Sequence, residues 1–152
     1  MREGQIFNKI AFIYKGLFRI YHLKDGNEVN SCFCTESTIT TSFNSFIQHS
    51  PSGDTIQALE NSTIVTLSSD TLTKLYSESS FWQTANRMLT EKECLHLSDR
   101  ASSLSFETAL EKYKNLLQYL PEIIQQVSVQ HIASYLGVSR ETLSRIRSQI
   151  LE

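Results

Sequence analysis

Residues His131–Arg147 read HIASYLGVSRETLSRIR, and the reading of this stretch decides the rest. Ser128 stands just before it as a helix N-cap. Ile132 and Leu136 fall four apart on one helical face. Ala133 is small where a second helix has to approach, and Gly137 suits the left-handed conformation that ends a helix. Val138 turns down toward the core. Ser139 caps the next helix, with Glu141 near its positive end and Leu143, Ile146 and Ile150 as its buried stripe. Two short helices joined by a turn of about three residues, with Ala and Gly so placed, form a helix-turn-helix pattern.

The opposite face of that second helix carries Arg140, Glu141, Ser144, Arg145 and Ser148. An arginine can bond bidentately to guanine O6 and N7, and a carboxylate can accept from cytosine N4. Arg140, Glu141, Ser144 and Arg145 are therefore the expected base-reading residues. Ser128, Gln130, Ser139 and Thr142 lie at helix N-termini, where hydroxyls, amides and backbone N–H groups can hold phosphates; Arg147 joins them as an expected phosphate contact. Taken singly, each arginine is an ordinary surface residue. The spacing of Ala133, Gly137, Ser139, Arg140 and Ile146 together is what points to double-stranded DNA.

The chain has 152 residues and a net charge of −2, from 14 Lys+Arg and 16 Asp+Glu. Charge is uneven: residues 1–26 hold five cations and two acids, residues 27–78 one lysine and six acids, and residues 127–152 three arginines and two acids. An acidic total therefore does not exclude nucleic acid, because binding depends on a local patch. No run approaches the roughly 18 apolar residues of a membrane span, and MREGQIFNKI lacks a signal-peptide pattern, so a cytoplasmic protein without a membrane partner is expected. Cys32, Cys34 and Cys94 are expected to be reduced and buried or half-buried, and His22, His49, His96 and His131 are scattered; no metal or cofactor is expected. No G-x-S-x-G elbow, paired-carboxylate motif or P-loop appears, so the chain is not expected to be an enzyme.

Before Ser69 the pattern is β. KIAFIYKG and LFRIYHL are rich in β-branched and aromatic residues, Asp25-Gly26 signals a hairpin, and EVNSCFC returns. A helical turn is expected around Thr41–Gln48, a break at Pro51-Ser52-Gly53, and two short strands in TIQALE and STIVTLS. Ser69 is the expected cap of a helix over DTLTKLYSES. A longer helix is expected from about Ser79 to Ser103. Phe81, Ala85 and Met88, then Cys94, Leu97, Ala101 and Leu104, form a seam for a homodimer, interrupted by the polar TEKE. Ser105 is expected to open a further helix with Phe106, Leu110, Tyr113 and Leu117 on one stripe, ended or restarted by Pro121.

GVSRETLSRIR resembles the recognition helix of the cyclic-AMP receptor/fumarate-nitrate regulator (Crp/Fnr) family of bacterial transcription factors. Glu3-Gly4, Lys15-Gly16 and DGNEV over Asp25–Val29 resemble that family's β-roll. The resemblance implies an α+β protein in three parts: a partial cyclic-nucleotide-binding-type β-roll over 1–78, a long dimerisation helix over 79–104, and a C-terminal helix-turn-helix DNA-binding domain over 105–152. It implies a homodimeric transcription regulator with RNA polymerase as a further partner. Two departures from the family pattern are expected: an N-terminally short roll with an unpaired edge, and no β-wing after the recognition helix.

The phosphate-binding cassette departs from the family pattern. Asn44 stands near the expected acid and Asp54 near the expected arginine, and no Lys or Arg occurs from Asp25 to Thr73. A cyclic phosphate set there would meet a carboxylate and no cation. The expectation is a regulator that does not respond to cyclic AMP, with an unknown small-molecule effector near Asn44, Ser45, Asp54 and Thr55. The alternative is a small-molecule-binding roll whose helix-turn-helix serves protein interaction.

Overall fold

The computed structural model describes residues 1–151, so Glu152, which closes the third expected segment, lies outside the described residues. The chain forms two compact units, Met1–Leu75 and a second from Tyr76 onward.

In the first unit, strands Lys9–Lys15 (β1), Phe18–Lys24 (β2), Asn27–Cys34 (β3) and Ile39–Thr40 (β4) precede a short helix, Phe43–Gln48 (α1). Strands Thr55–Ala58 (β5) and Thr63–Ser68 (β6) follow, then a helix over Ser69–Glu78 (α2) whose last three residues belong to the second unit. They make two antiparallel three-stranded sheets, ordered β4-β1-β6 and β3-β2-β5. The β2–β3 hairpin closes on the pair Lys24↔Asn27, and Asp25 and Gly26 both take positive φ, 52° and 77°, as a two-residue I′ turn requires. Gly16, between β1 and β2, has φ 121°, and a Cβ there would lie 2.5 Å from Ser62 Cβ and 2.9 Å from its Cα. Only glycine fits. Phe7, Ile13, Phe18, Cys34 and Ile56 form the core of the roll, with Ile20 and Cys32 packed against it.

The strand β6 passes into α2 without a linker, and this moves the cap by one residue. Ser68 Oγ, not Ser69, accepts from Thr71 N–H at 3.1 Å.

The second unit holds Ser80–Phe106 (α3), Ala109–Tyr119 (α4), Pro121–Gln126 (α5), Val129–Leu136 (α6) and Arg140–Leu151 (α7). Helix α3 runs past the expected stop at Ser103, because the Ser105 hydroxyl donates back to Ala101 O at 2.8 Å and stays inside the helix. Ser105 therefore opens nothing. The next helix starts at a capping box: Thr108 Oγ1 accepts from Glu111 N–H at 3.3 Å, and Glu111 Oε2 accepts from Thr108 N–H at 2.8 Å. Phe106 consequently belongs to α3 and is 86% exposed, while of the expected stripe Tyr113 is buried and Leu110 and Leu117 are half-buried; Leu116 is the other buried residue of α4. Pro121 restarts the chain as the first residue of α5, where its missing N–H costs nothing. No residue of α3 is buried: Phe81, Met88, Leu95, Leu97 and Leu104 of its apolar positions are all exposed. Cys94 is exposed too, which corrects the expectation of three buried or half-buried cysteines; Cys34 is buried and Cys32 half-buried. Among the described residues no helix is long and apolar enough to cross a membrane.

Candidate nucleic-acid interface

The pair α6 and α7 is built by its caps. Ser128 Oγ accepts from His131 N–H at 3.3 Å and starts α6. The helix ends at Gly137, with φ 70° and ψ 33°. There the Gly137 N–H reaches Ser134 O and the Val138 N–H reaches Ala133 O, the two bonds of a Schellman motif. Ser139 Oγ then accepts from Thr142 N–H at 3.1 Å and opens α7. Ile132, Ala133, Leu136, Leu143 and Ile146 are buried together with Tyr113, Leu116, Ile123 and Val127. Ala133, 3% exposed, is the small residue against which the helices close. Ile150 is 37% exposed, so the buried stripe of α7 ends one turn earlier than its spacing suggests.

At about 100° per residue, Arg140, Ser144, Ser148, Glu141 and Arg145 share one arc of roughly 140° on α7. Leu143 and Ile146 lie on the opposite side. All five residues of the arc are exposed. Thr142 and Arg147, both half-buried, sit on the two flanks between arc and core. The Glu141 carboxyl is held below the usual carboxylate range by its own backbone N–H at the helix start, then by the Ser139 hydroxyl and by Arg140. The arc thus offers two guanidinium forks and one ionised acceptor, flanked by groups able to meet phosphate. Gln130 is exposed in the first turn of α6, and Ser128 and Ser139, also exposed, carry the caps.

Four further contacts tie α3 to its neighbours. The Arg100 guanidinium of α3 stacks over the Tyr135 ring at 3.9 Å and donates to the Tyr135 carbonyl. Glu107 accepts from Ser103 Oγ at 2.6 Å and from Asn115 Nδ2 at 3.0 Å. These bonds fix the end of α3 to α4 and α6. The partners Arg100 and Tyr135 are 35 residues apart, and only the fold brings them together.

The expected effector residues do not form one set. Asn44 is exposed on α1. Ser45 is fully buried; it accepts from Phe7 N–H at 2.9 Å and donates to Ser50 O, so it serves the loop. Asp54 accepts from Ser42 Oγ at 3.0 Å, and Thr55 Oγ1 accepts from Glu3 N–H at 3.1 Å. The roll does contain a buried cation, supplied from outside the 25–73 stretch: Arg19 of β2, 3% exposed. Strand pairing sets it beside Gln57, which accepts from its Nε at 2.8 Å, and Asn30 Oδ1 accepts from Nη1 at 3.3 Å. Glu28 lies 2.6 Å from the same Nη1, and Tyr21 stacks under the guanidinium at 4.1 Å. That charge is compensated within the sheet.

Comparison with known proteins agrees with this architecture. No curated protein sequence matches the chain significantly. FixK2 from Bradyrhizobium japonicum is similar in structure, with TM-score 0.76 and 20% identity over 94% of this chain and 74% of that one. The c-di-GMP-responsive global regulator CLP of Xanthomonas campestris gives TM-score 0.72 and 19% identity, over 99% and 81%. A crp/fnr-family protein from Eubacterium rectale gives 0.65 and 17%, over 93% and 68%. The second and third of these are described as regulators, and at such identities the likeness is one of fold. The cyclic nucleotide-binding domain family matches residues 1–79, more than half of the 152, and the chain belongs to that family.

Proposed function

We propose that this chain is a sequence-specific, DNA-binding transcription regulator of the Crp/Fnr type that acts as a homodimer. The observation that carries the reading is the exposed arc of α7, with Arg140, Glu141, Ser144 and Arg145 facing outward while Leu143 and Ile146 are buried beneath them. An α-helix fits the major groove, and such an arc offers donors and an acceptor to base edges. Ser128, Gln130, Ser139, Thr142 and Arg147 are assigned to phosphates on either side. The exposed apolar positions of α3 supply the seam for a second copy, so that two α7 helices read two half-sites. The domain limits follow the same reading: an effector-type roll over 1–78, a dimerisation helix over 79–104 and a DNA-reading part over 105–152. Contact with RNA polymerase belongs to this proposal as well. Cyclic AMP is not its effector in this reading, because the cassette positions hold Asn44 and Asp54 and the buried Arg19 is already paired with Glu28.

Sedimentation of the full chain with a duplex at low salt tests this reading. Two chains per duplex are expected. With three arginines after residue 126, the salt dependence should be shallow, about −0.9 in log–log slope per phosphate neutralised. A chain that stays monomeric at micromolar concentration and leaves the duplex unretained contradicts it. A Leu97→Asp variant should lower both dimer and complex, because Leu97 is 56% exposed in the proposed seam.

A further inference from the structure

Helix α3 places no buried residue in the core of the helical unit. A cleft of about 490 Å³ lies between its last turns and α4 and α6, lined among others by Arg100, Glu107, Asn115, Leu116, Tyr135 and Leu136. Arg100 crosses to α6 there: its guanidinium stacks over the Tyr135 ring at 3.9 Å and donates to the Tyr135 carbonyl. That carbonyl lies in the last turn of α6, where carbonyls run out of intrahelical N–H partners and a cation is favoured. We propose that Arg100 is a positioning residue for DNA recognition, a role that rests on the regulator reading. By clamping Tyr135 it sets the angle of α6 and α7 to α3, and with it the spacing of the two half-sites that the dimer reads.

The clamp reaches the reading arc because α6 and α7 move as one body. The turn at Gly137 joins them, and Ile132, Ala133, Leu136, Leu143 and Ile146 are buried. Whatever holds Tyr135 therefore holds α7. On α3, at about 100° per residue, Arg100, Ser103 and Glu107 fall in an arc of roughly 60°. It borders the arc of Cys94, Leu97, Ala101 and Leu104, so clamp and seam are adjacent faces of one helix. A two-fold axis through the seam then fixes where each clamp, and each α7, stands.

Arg100 suits this task by its shape. Since α3 buries no side chain, its angle to α6 is set by directional contacts. A stacked guanidinium plane that also donates a hydrogen bond fixes distance and tilt together, which an ammonium cannot do. Glu107, bonded to Ser103 Oγ and Asn115 Nδ2, pins the end of α3 to α4 and leaves the approach to α6 to Arg100.

The first measurement needs no DNA. Lys92→Cys on α3 and Gln149→Cys on α7, both exposed positions outside seam and arc, carry spin labels in a full chain with Cys32→Ser and Cys94→Ser. Pulsed electron spin resonance, with labelled chain diluted in unlabelled, reads the distance between them within one chain. Arg100→Ala should widen that distribution about twofold. Tyr135→Leu should match it, and the double variant should be no wider than either. Near-UV circular dichroism checks folding, and Arg100→Lys, which keeps the charge and loses the plane, carries the same test if Arg100→Ala unfolds. The second measurement uses duplexes with two half-sites one turn apart, or with one or two base pairs inserted between them. The preference of Arg100→Ala for one spacing should fall about fivefold, with base preference inside each half-site unchanged. A merely structural role would weaken all spacings alike. An unchanged distance distribution overturns the clamp, and a widened one with unaltered spacing preference overturns its link to the half-sites. A parent chain that binds no duplex removes the regulator reading and the spacing claim with it, and the distance result still decides the clamp.

Discussion

Arg140 and Arg145 occupy the two ends of the exposed arc, with Glu141 and Ser144 between them. In the proposed interface each arginine reads by shape as well as charge, since a guanidinium fork matches two acceptors on one guanine edge. Arg140→Ala or Arg145→Ala should therefore relax preference at one base pair per half-site and cost about 1–3 kcal/mol of binding. Thr142→Ala should weaken binding on every sequence alike, because its hydroxyl is assigned to phosphate and it already accepts from Ser139 Oγ at 3.1 Å. Fluorescence anisotropy on a matched site and on single-base variants separates the two patterns. Unchanged base preference in both arginine variants would remove them from the reading set.

At the scale of elements, the two capping devices that flank α3 and α7 illustrate how local chemistry fixes the frame. Thr108 and Glu111 satisfy each other's backbone N–H groups at the start of α4. Thr108→Ala should lower stability by about 1 kcal/mol, read as a shift in the thermal midpoint. The Glu111 carboxyl is lowered from its ordinary 4.5, first by the Thr108 hydroxyl and then by its backbone N–H. A depressed carboxyl contributes stability above pH 4.5, and that contribution is lost as pH falls through the lowered value. The Thr108→Ala variant should accordingly lose less stability on acidification over that window than the parent chain. Much of this frame was legible in advance. Asp25-Gly26, Ser128, Gly137 and Ser139 act through local backbone chemistry, and each stands where its residue type predicts. The misplaced boundaries have physical reasons: Ser105 was a plausible cap, but its hydroxyl bonds inside α3, and Thr108 has the Glu three residues on that Ser105 lacks. Arg19 and Arg100 were not legible at all. Their partners are set by sheet register and helix packing across 38 and 35 residues, which no periodicity encodes.

The whole molecule combines a family roll, whose internal charge is compensated by Glu28, with a helical unit that exposes the arc of α7. Cyclic AMP and cyclic GMP should leave the thermal midpoint unmoved, whereas a ligand at a hundred times its dissociation constant adds about 2.7 kcal/mol. Saturable micromolar binding lost on Asn44 or Thr55 substitution would show a working cassette. The central claim is that two copies of α7 read a defined sequence, and selection of binding sites from random duplex DNA by the full chain tests it most directly. The account predicts an enriched inverted repeat whose half-site centres lie about 34 Å, one helical turn, apart. Recovery of duplexes with no shared sequence would contradict it.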